Sequence, residues 1–156
     1  MDTIDRIIID RLQADSTLTY AEIGAAAGLS ASAVNDRLKR LRADGVIRRM
    51  TADIDPATIG LTLLTFVLVA VNEPPGEARF RDAMRAAPEV LECHHLTGDF
   101  SYLLKLRLRD TAHLEHFLMD RLKPLAGVVR THTLIALSSV KETHIVSASL
   151  SGAAHA

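Results

Sequence analysis

Residues 28–47 read Gly-Leu-Ser-Ala-Ser-Ala-Val-Asn-Asp-Arg-Leu-Lys-Arg-Leu-Arg-Ala-Asp-Gly-Val-Ile, and the reading of the whole chain turns on them. Gly28 has access to the left-handed backbone region in which one helix ends. Ser30 is placed to cap the next helix by accepting from its exposed N–H groups. Val34, Leu38 and Leu41 fall at i, i+4 and i+7, so this helix has one apolar stripe. Its other side carries Ser32, Asn35, Asp36, Lys39, Arg40 and, towards the end, Arg42, with Arg37 between the two faces. Gly45 stops the helix, and Val46-Ile47 is expected to begin an extended segment. Two helices joined by a tight turn, the second polar early and cationic late, fit a reader of the DNA major groove.

Working outward, Ile4, Ile7, Ile8 and Leu12 sit at helical spacing behind a cap at Asp2 or Thr3. Thr19 caps a second helix, with Glu22 at the capping-box position and Ile23 and Ala27 pointing inwards. Residues 1–50 therefore form a tri-helical helix-turn-helix domain. Whole-chain charge gives no hint of nucleic acid, since 18 Lys and Arg face 19 Asp and Glu. Locally, however, Arg37, Lys39, Arg40, Arg42, Arg48 and Arg49 outnumber Asp36 and Asp44, and phosphate contact needs such a patch. The expected DNA-binding residues are Ser30, Ser32, Asn35, Arg37, Lys39, Arg40, Arg48 and Arg49. Ser32 and Asn35 read base edges; the cations among them hold phosphates. Asp36 is expected to pair with Arg40 along the helix.

Residues 51–60 form a linker, in which Asp55-Pro56 marks a turn and Gly60 a boundary. Beyond it the pattern changes. Residues 61–71, rich in Leu, Val and Thr, read as a buried strand. Phe80, Ala83, Met84 and Ala87 make the inner stripe of a helix that Pro88 ends. Residues 90–96 and 102–109 read as strands around the loop Thr97-Gly98-Asp99-Phe100-Ser101, and Leu104, Leu106 and Leu108 alternate with Lys105, Arg107 and Arg109. Asp110 or Thr111 caps a further helix carrying Leu114, Phe117, Leu118 and Leu122, and residues 128–137 complete the set as a strand. Strand, helix, strand, strand, helix, strand is the ferredoxin-like βαββαβ order, so the fold class is α+β. Its helices cover one sheet face, and a second copy of the chain is the simplest cover for the other. Residues 147–156 read as a loose tail.

These pieces together resemble the Lrp/AsnC (feast/famine) family of transcriptional regulators. The resemblance spans about residues 2–146. It rests on Gly28-Leu29-Ser30, Asp55-Pro56 through Gly60, Val90-Leu91-Glu92-Cys93, Thr97-Gly98-Asp99, Tyr102-Leu103-Leu104-Lys105, Gly127-Val128 and Lys141-Glu142-Thr143, in that order. It implies a DNA-binding N-terminal domain and, over residues 61–146, a ligand-binding and oligomerisation (RAM) domain. It further implies homodimers assembling into tetramers or octamers. Small effectors, usually amino acids, bind between dimers at positions matching Thr97, Gly98, Asp99, Phe100, Ser101 and Tyr102, with Thr131, His132 and Thr133 of the last strand. The chain departs from many relatives in having Ser101 where they carry an acid, and in Asn35-Asp36 on the reading helix.

No catalytic constellation, metal site or cofactor is expected. His94 and His95 are adjacent in a strand and point to opposite faces, and His113 and His116 lack a third ligand at an obvious spacing. An effector-independent DNA-organising protein and a siroheme-decarboxylase-like enzyme are the alternatives. The lone Cys93, the absence of a signal-peptide pattern and apolar runs too short to span a bilayer point to a soluble, cytoplasmic protein without membrane partners.

Overall fold

In the computed structural model, helix α1 (Thr3–Ala14) begins at a reciprocal cap. The Asp2 carboxylate accepts from the Asp5 N–H at 2.8 Å, and the Asp5 carboxylate accepts from the Asp2 N–H at 3.0 Å. Each bond satisfies a donor that the helix end leaves without a partner. The structure describes residues 1–72 and 74–148. They group into two units, one of residues 1–53 with the described residues from Lys141 onward, the other of residues 54–140.

In the first unit, helix α2 (Tyr20–Ala27) starts at the Thr19–Glu22 capping box and ends at Gly28, whose φ of 68° is left-handed. The Leu29 N–H donates back to the Gly24 carbonyl at 2.9 Å. The fold-back is so tight that a Cβ on Gly24 would lie 2.4 Å from the Leu29 carbonyl oxygen. The turn therefore needs a glycine within the helix as well as after it. Helix α3 (Ala31–Ala43) follows at once, with the Ser30 hydroxyl accepting from the Ala33 N–H at 3.2 Å. Ile8, Ile23, Val34 and Leu38 are fully buried against one another. Burying side chains of this size is worth roughly 1.5–3 kcal/mol each. That holds together three helices too short to persist alone.

Two expectations change here. Val46 and Ile47 begin no strand; residues 44–47 turn, and the Ile47 N–H donates to the Leu41 carbonyl at 3.1 Å. The connector stays irregular up to the turn where Asp55 accepts from the Ala57 N–H at 2.9 Å. At the other end, the chain from Lys141 packs with the N-terminal unit. Gln13 exchanges two hydrogen bonds with the Val146 backbone, at 2.8 and 2.9 Å, and Asp10 accepts from the Ala148 N–H at 2.9 Å. The expected tail thus has Ala148 docked on α1, while residues 149–156 lie outside the described residues.

The second unit contains β1 (Leu63–Val71), α4 (Pro74–Ala86), β2 (Val90–His95), β3 (Tyr102–Leu108), α5 (Thr111–His116) and β4 (Val128–Ile135). The sheet is antiparallel in the order β2-β3-β1-β4, the ferredoxin-like arrangement. Asp110 caps α5, whose chain continues as a π-helix over Phe117–Leu122. The wider π turn lets Phe117 and Leu122, five residues apart, both bury their side chains. On one sheet face Val67, Val69, Tyr102, Leu104, Leu106 and Leu108 pack on Phe80, Met84, Leu114, Phe117 and Leu122. Register puts Phe66, Leu68, Leu103 and Leu134 on the opposite face, which neither α4 nor α5 covers. Gly127 joins the last helix to β4 at a φ of 91°. A Cβ there would lie 2.8 Å from the Asn72 carbonyl oxygen and 3.0 Å from the Gly76 Cα. No helix among the described residues is long and apolar enough to cross a membrane.

Candidate nucleic-acid interface and effector site

The capped turn at residues 28–30 sets the start of α3, and its buried stripe of Val34, Leu38 and Leu41 fixes which side faces out. Ser32, Asp36, Lys39 and Arg42 are exposed along that side, and Asn35 is half-buried. The Ser30 hydroxyl is used by the cap, which leaves Ser32 and Asn35 as the neutral polar groups of the first two turns.

The cations divide into two sets. Arg37 donates through Nη1 to Asp2 at 2.6 Å and to Asp5 at 2.8 Å, and Arg40 donates through Nη2 to both Asp5 oxygens at 3.0 Å. Asp5 is buried, its side chain only 1% exposed. Burial pushes its carboxyl up, but the Asp2 N–H and the guanidinium groups of Arg37 and Arg40 together hold it below the usual carboxylate range. Asp2 is held down to about 2, chiefly by its bond from Arg37. The expected Asp36–Arg40 pair is therefore overturned, because Arg40 reaches across to α1. Lys39, Arg48 and Arg49 are exposed and take part in no ion pair among the described residues. Sequence reasoning placed the cap at Asp2 or Thr3 and passed over Asp5, whose pairing with α3 depends on the packing of the two helices.

The residues expected at an effector site spread over both faces of the sheet. Gly98 adopts a φ of 109°, and Thr97, Gly98 and Asp99 form an exposed loop. Phe100 lies 6.4 Å from the His132 ring, and the Arg130 guanidinium sits 4.5 Å over the Phe100 ring. Arg130 also donates to the Asp99 carbonyl at 3.4 Å. Arg130 was missed from sequence, although it directly precedes Thr131. His132 pairs with Leu68, on the side of the sheet away from the helices, whereas Thr131 and Thr133 pair with Val69 and Val67 on the helix side. Ser101 is occupied locally: its hydroxyl donates to the Val71 carbonyl and accepts from the Val71 N–H, both at 3.2 Å. Tyr102 is inside the core, 2% exposed, with its hydroxyl donating to Glu77 at 2.6 Å. Burial, then the Glu77 carboxylate, raise its pKa to about 12.

His94 and His95 do point to opposite faces, His94 to Glu92 at 3.0 Å and His95 stacked on Tyr102 with ring centroids 4.9 Å apart. His113 contacts Glu89 at 3.5 Å and His116 contacts Asp120 at 2.6 Å. No group of three or more His, Cys, Asp or Glu side chains is placed to hold a metal ion among the described residues. Cys93 pairs with Leu104 at the sheet edge, and burial pushes its thiol up.

Comparison with known proteins matches both units. Residues 1–48 fit a winged helix-turn-helix DNA-binding family and residues 64–146 the Lrp/AsnC ligand binding domain. The chain is 36% identical over 143 residues to the HTH-type transcriptional regulator FL11 of Pyrococcus horikoshii, covering 92% of this chain and 93% of that protein. It is 34% identical over 146 residues to the leucine-responsive regulatory protein of Escherichia coli K12, covering 92% and 89%. Among solved structures, a Neisseria meningitidis transcriptional regulator in complex with L-Met superposes with a TM-score of 0.87 at 32% identity, covering 92% of this chain and 94% of that one.

Proposed function

Since the chain belongs to the Lrp/AsnC family of transcription regulators, we propose that it is a DNA-binding regulator controlled by an amino-acid-like effector. The observation that carries this reading is α3 itself, which turns an apolar stripe inwards and holds Ser32 and Asn35 ahead of Lys39 on its outer side. Ser32 and Asn35 read base edges; Lys39, Arg48 and Arg49, which take part in no ion pair among the described residues, hold phosphates. The apolar sheet face of Phe66, Leu68, Leu103 and Leu134 is covered by a second copy of the chain. Two copies then present two α3 helices about 34 Å apart to successive major grooves, and pairs of dimers assemble further. The protein works in the cytoplasm, beside the DNA it regulates.

For the effector, the exposed loop at Thr97, Gly98 and Asp99 supplies backbone N–H groups for a carboxylate, with the Arg130 cation beside it. Phe100 and His132 line the same end of the sheet. Ser101 and Tyr102 support this end from within, since their hydroxyls are already engaged. An effector with different affinity for two assemblies shifts the balance between them and hence promoter occupancy. Two experiments test the proposal together. Selection from a random duplex pool should enrich a pseudo-palindromic site, and at least one of the twenty amino acids should raise the melting temperature. A pool without enrichment and a panel without any shift would refute it.

A further inference from the structure

Resting on the DNA-binding reading above, we propose that Asp5 is a positioning residue for recognition. Its buried carboxylate clamps Arg37 and Arg40, fixing the rotation of α3 on α1 and withholding their charge from phosphate. Arg37 and Arg40 lie three residues apart, on one side of α3. One ion pair would fix the distance between the two helices but leave α3 free to roll; two pairs to one carboxylate, at 2.8 and 3.0 Å, remove the roll. Asp5 is itself held in place, since its second oxygen accepts from the Asp2 N–H in the reciprocal cap of α1. Asp2 adds a contact to Arg37 at 2.6 Å.

The charges of the cluster cancel, two carboxylates against two guanidinium groups. A basic patch that looks large in the sequence is thereby reduced to the cations outside the clamp. That division matters for selectivity. Phosphate contacts strengthen binding to every sequence alike, whereas base reading depends on the angle at which Ser32 and Asn35 enter the groove. The clamp trades two sequence-blind contacts for a fixed approach angle.

The test is fluorescence anisotropy of the full chain on two duplexes of equal length, one enriched from a random pool and one scrambled, from 50 to 200 mM salt. Asp5→Asn keeps the size of the side chain and the cap while releasing Arg40 and leaving Arg37 to Asp2. Its salt slope should steepen by about one per chain, the extra contact adding roughly a 3.5-fold loss across that range. Binding to the scrambled duplex should rise at least threefold at 50 mM, and the preference for the enriched one should fall. Arg37→Gln should leave the slope unchanged. An unchanged slope and preference in Asp5→Asn would overturn the clamp, as would a slope reduced by about one in Arg37→Gln, which would put Arg37 on a phosphate. Circular dichroism checks folding, and Arg37→Gln decides alone if Asp5→Asn does not fold. Unmutated protein that binds neither duplex at 50 mM refutes the DNA-binding reading itself, a result distinct from both variant outcomes.

Discussion

Replacing Tyr102 by Phe separates a core role from a ligand-contact role. The ring stays where it is, packed 4.7 Å from Phe80 and 4.9 Å from His95, so no cavity forms. Only the hydrogen bond to Glu77 at 2.6 Å is lost. A bond to a charged partner contributes about 1.5–3 kcal/mol net. The Glu77 side chain is 32% exposed and regains water, which places the cost at the lower end, about 1.5 kcal/mol. For a unit of this size that corresponds to a melting temperature lower by about 6–12 °C. The pH dependence sharpens the test. The folded state keeps a proton, up to about 12, that the unfolded chain loses near 10. The stabilisation from Tyr102 is therefore complete below pH 10 and disappears as pH rises from about 10 to about 12. Calorimetry from pH 7 to 11.5 should show the two proteins converging above pH 10. Equal melting temperatures at pH 7, with a lost response to the effector, would refute the core assignment and put the hydroxyl on the ligand.

Three further outcomes follow from the geometry. Gly127→Ala places a Cβ 2.8 Å from the Asn72 oxygen at a positive φ, and urea denaturation should show a loss of at least about 2 kcal/mol; an unchanged midpoint would mean that the crossing relaxes freely. Asp2 has its pKa lowered from 3.8 to about 2, so its stabilisation is present above pH 4 and fades as pH falls towards 2. Circular-dichroism melts of Asp2→Asn should lack that part of the acid loss, and curves parallel to those of the parent would contradict the pairing with Arg37. Arg48→Ala and Arg49→Ala should each reduce the salt slope of DNA binding by about 0.9, with little change in melting temperature; unaltered slopes would remove them from the interface.

Most of the fold is legible in the sequence because local signals and burial agree. The Thr19–Glu22 box, Gly28 and Ser30 each do in the structure what their chemistry suggests. The alternation of Leu104, Leu106 and Leu108 marks the buried face of β3. What escaped depends on partners distant in the chain. Arg40 pairs with Asp5 and not with Asp36 because the tri-helical packing brings α1 alongside α3, and spacing along one helix carries no trace of that. Residues 147–156 look like a loose tail by composition, yet the backbone at Ala148, like that at Val146 just before it, finds a side-chain partner on α1. At the expected effector site, strand alternation was available for Thr131, His132 and Thr133, and it divides them between two faces as the structure does. The burial of Tyr102 follows by the same rule, from its place two residues before Leu104 on the inward face.

The most direct measurement of the central claim is a dimethyl sulfate footprint of the protein on its enriched duplex, because guanine N7 lies in the major groove. With α3 seated in successive grooves, protected guanines should form two clusters about 10 base pairs apart, and Ser32→Ala with Asn35→Ala should abolish them. Full reactivity of every guanine at saturating protein would show that α3 does not enter the groove.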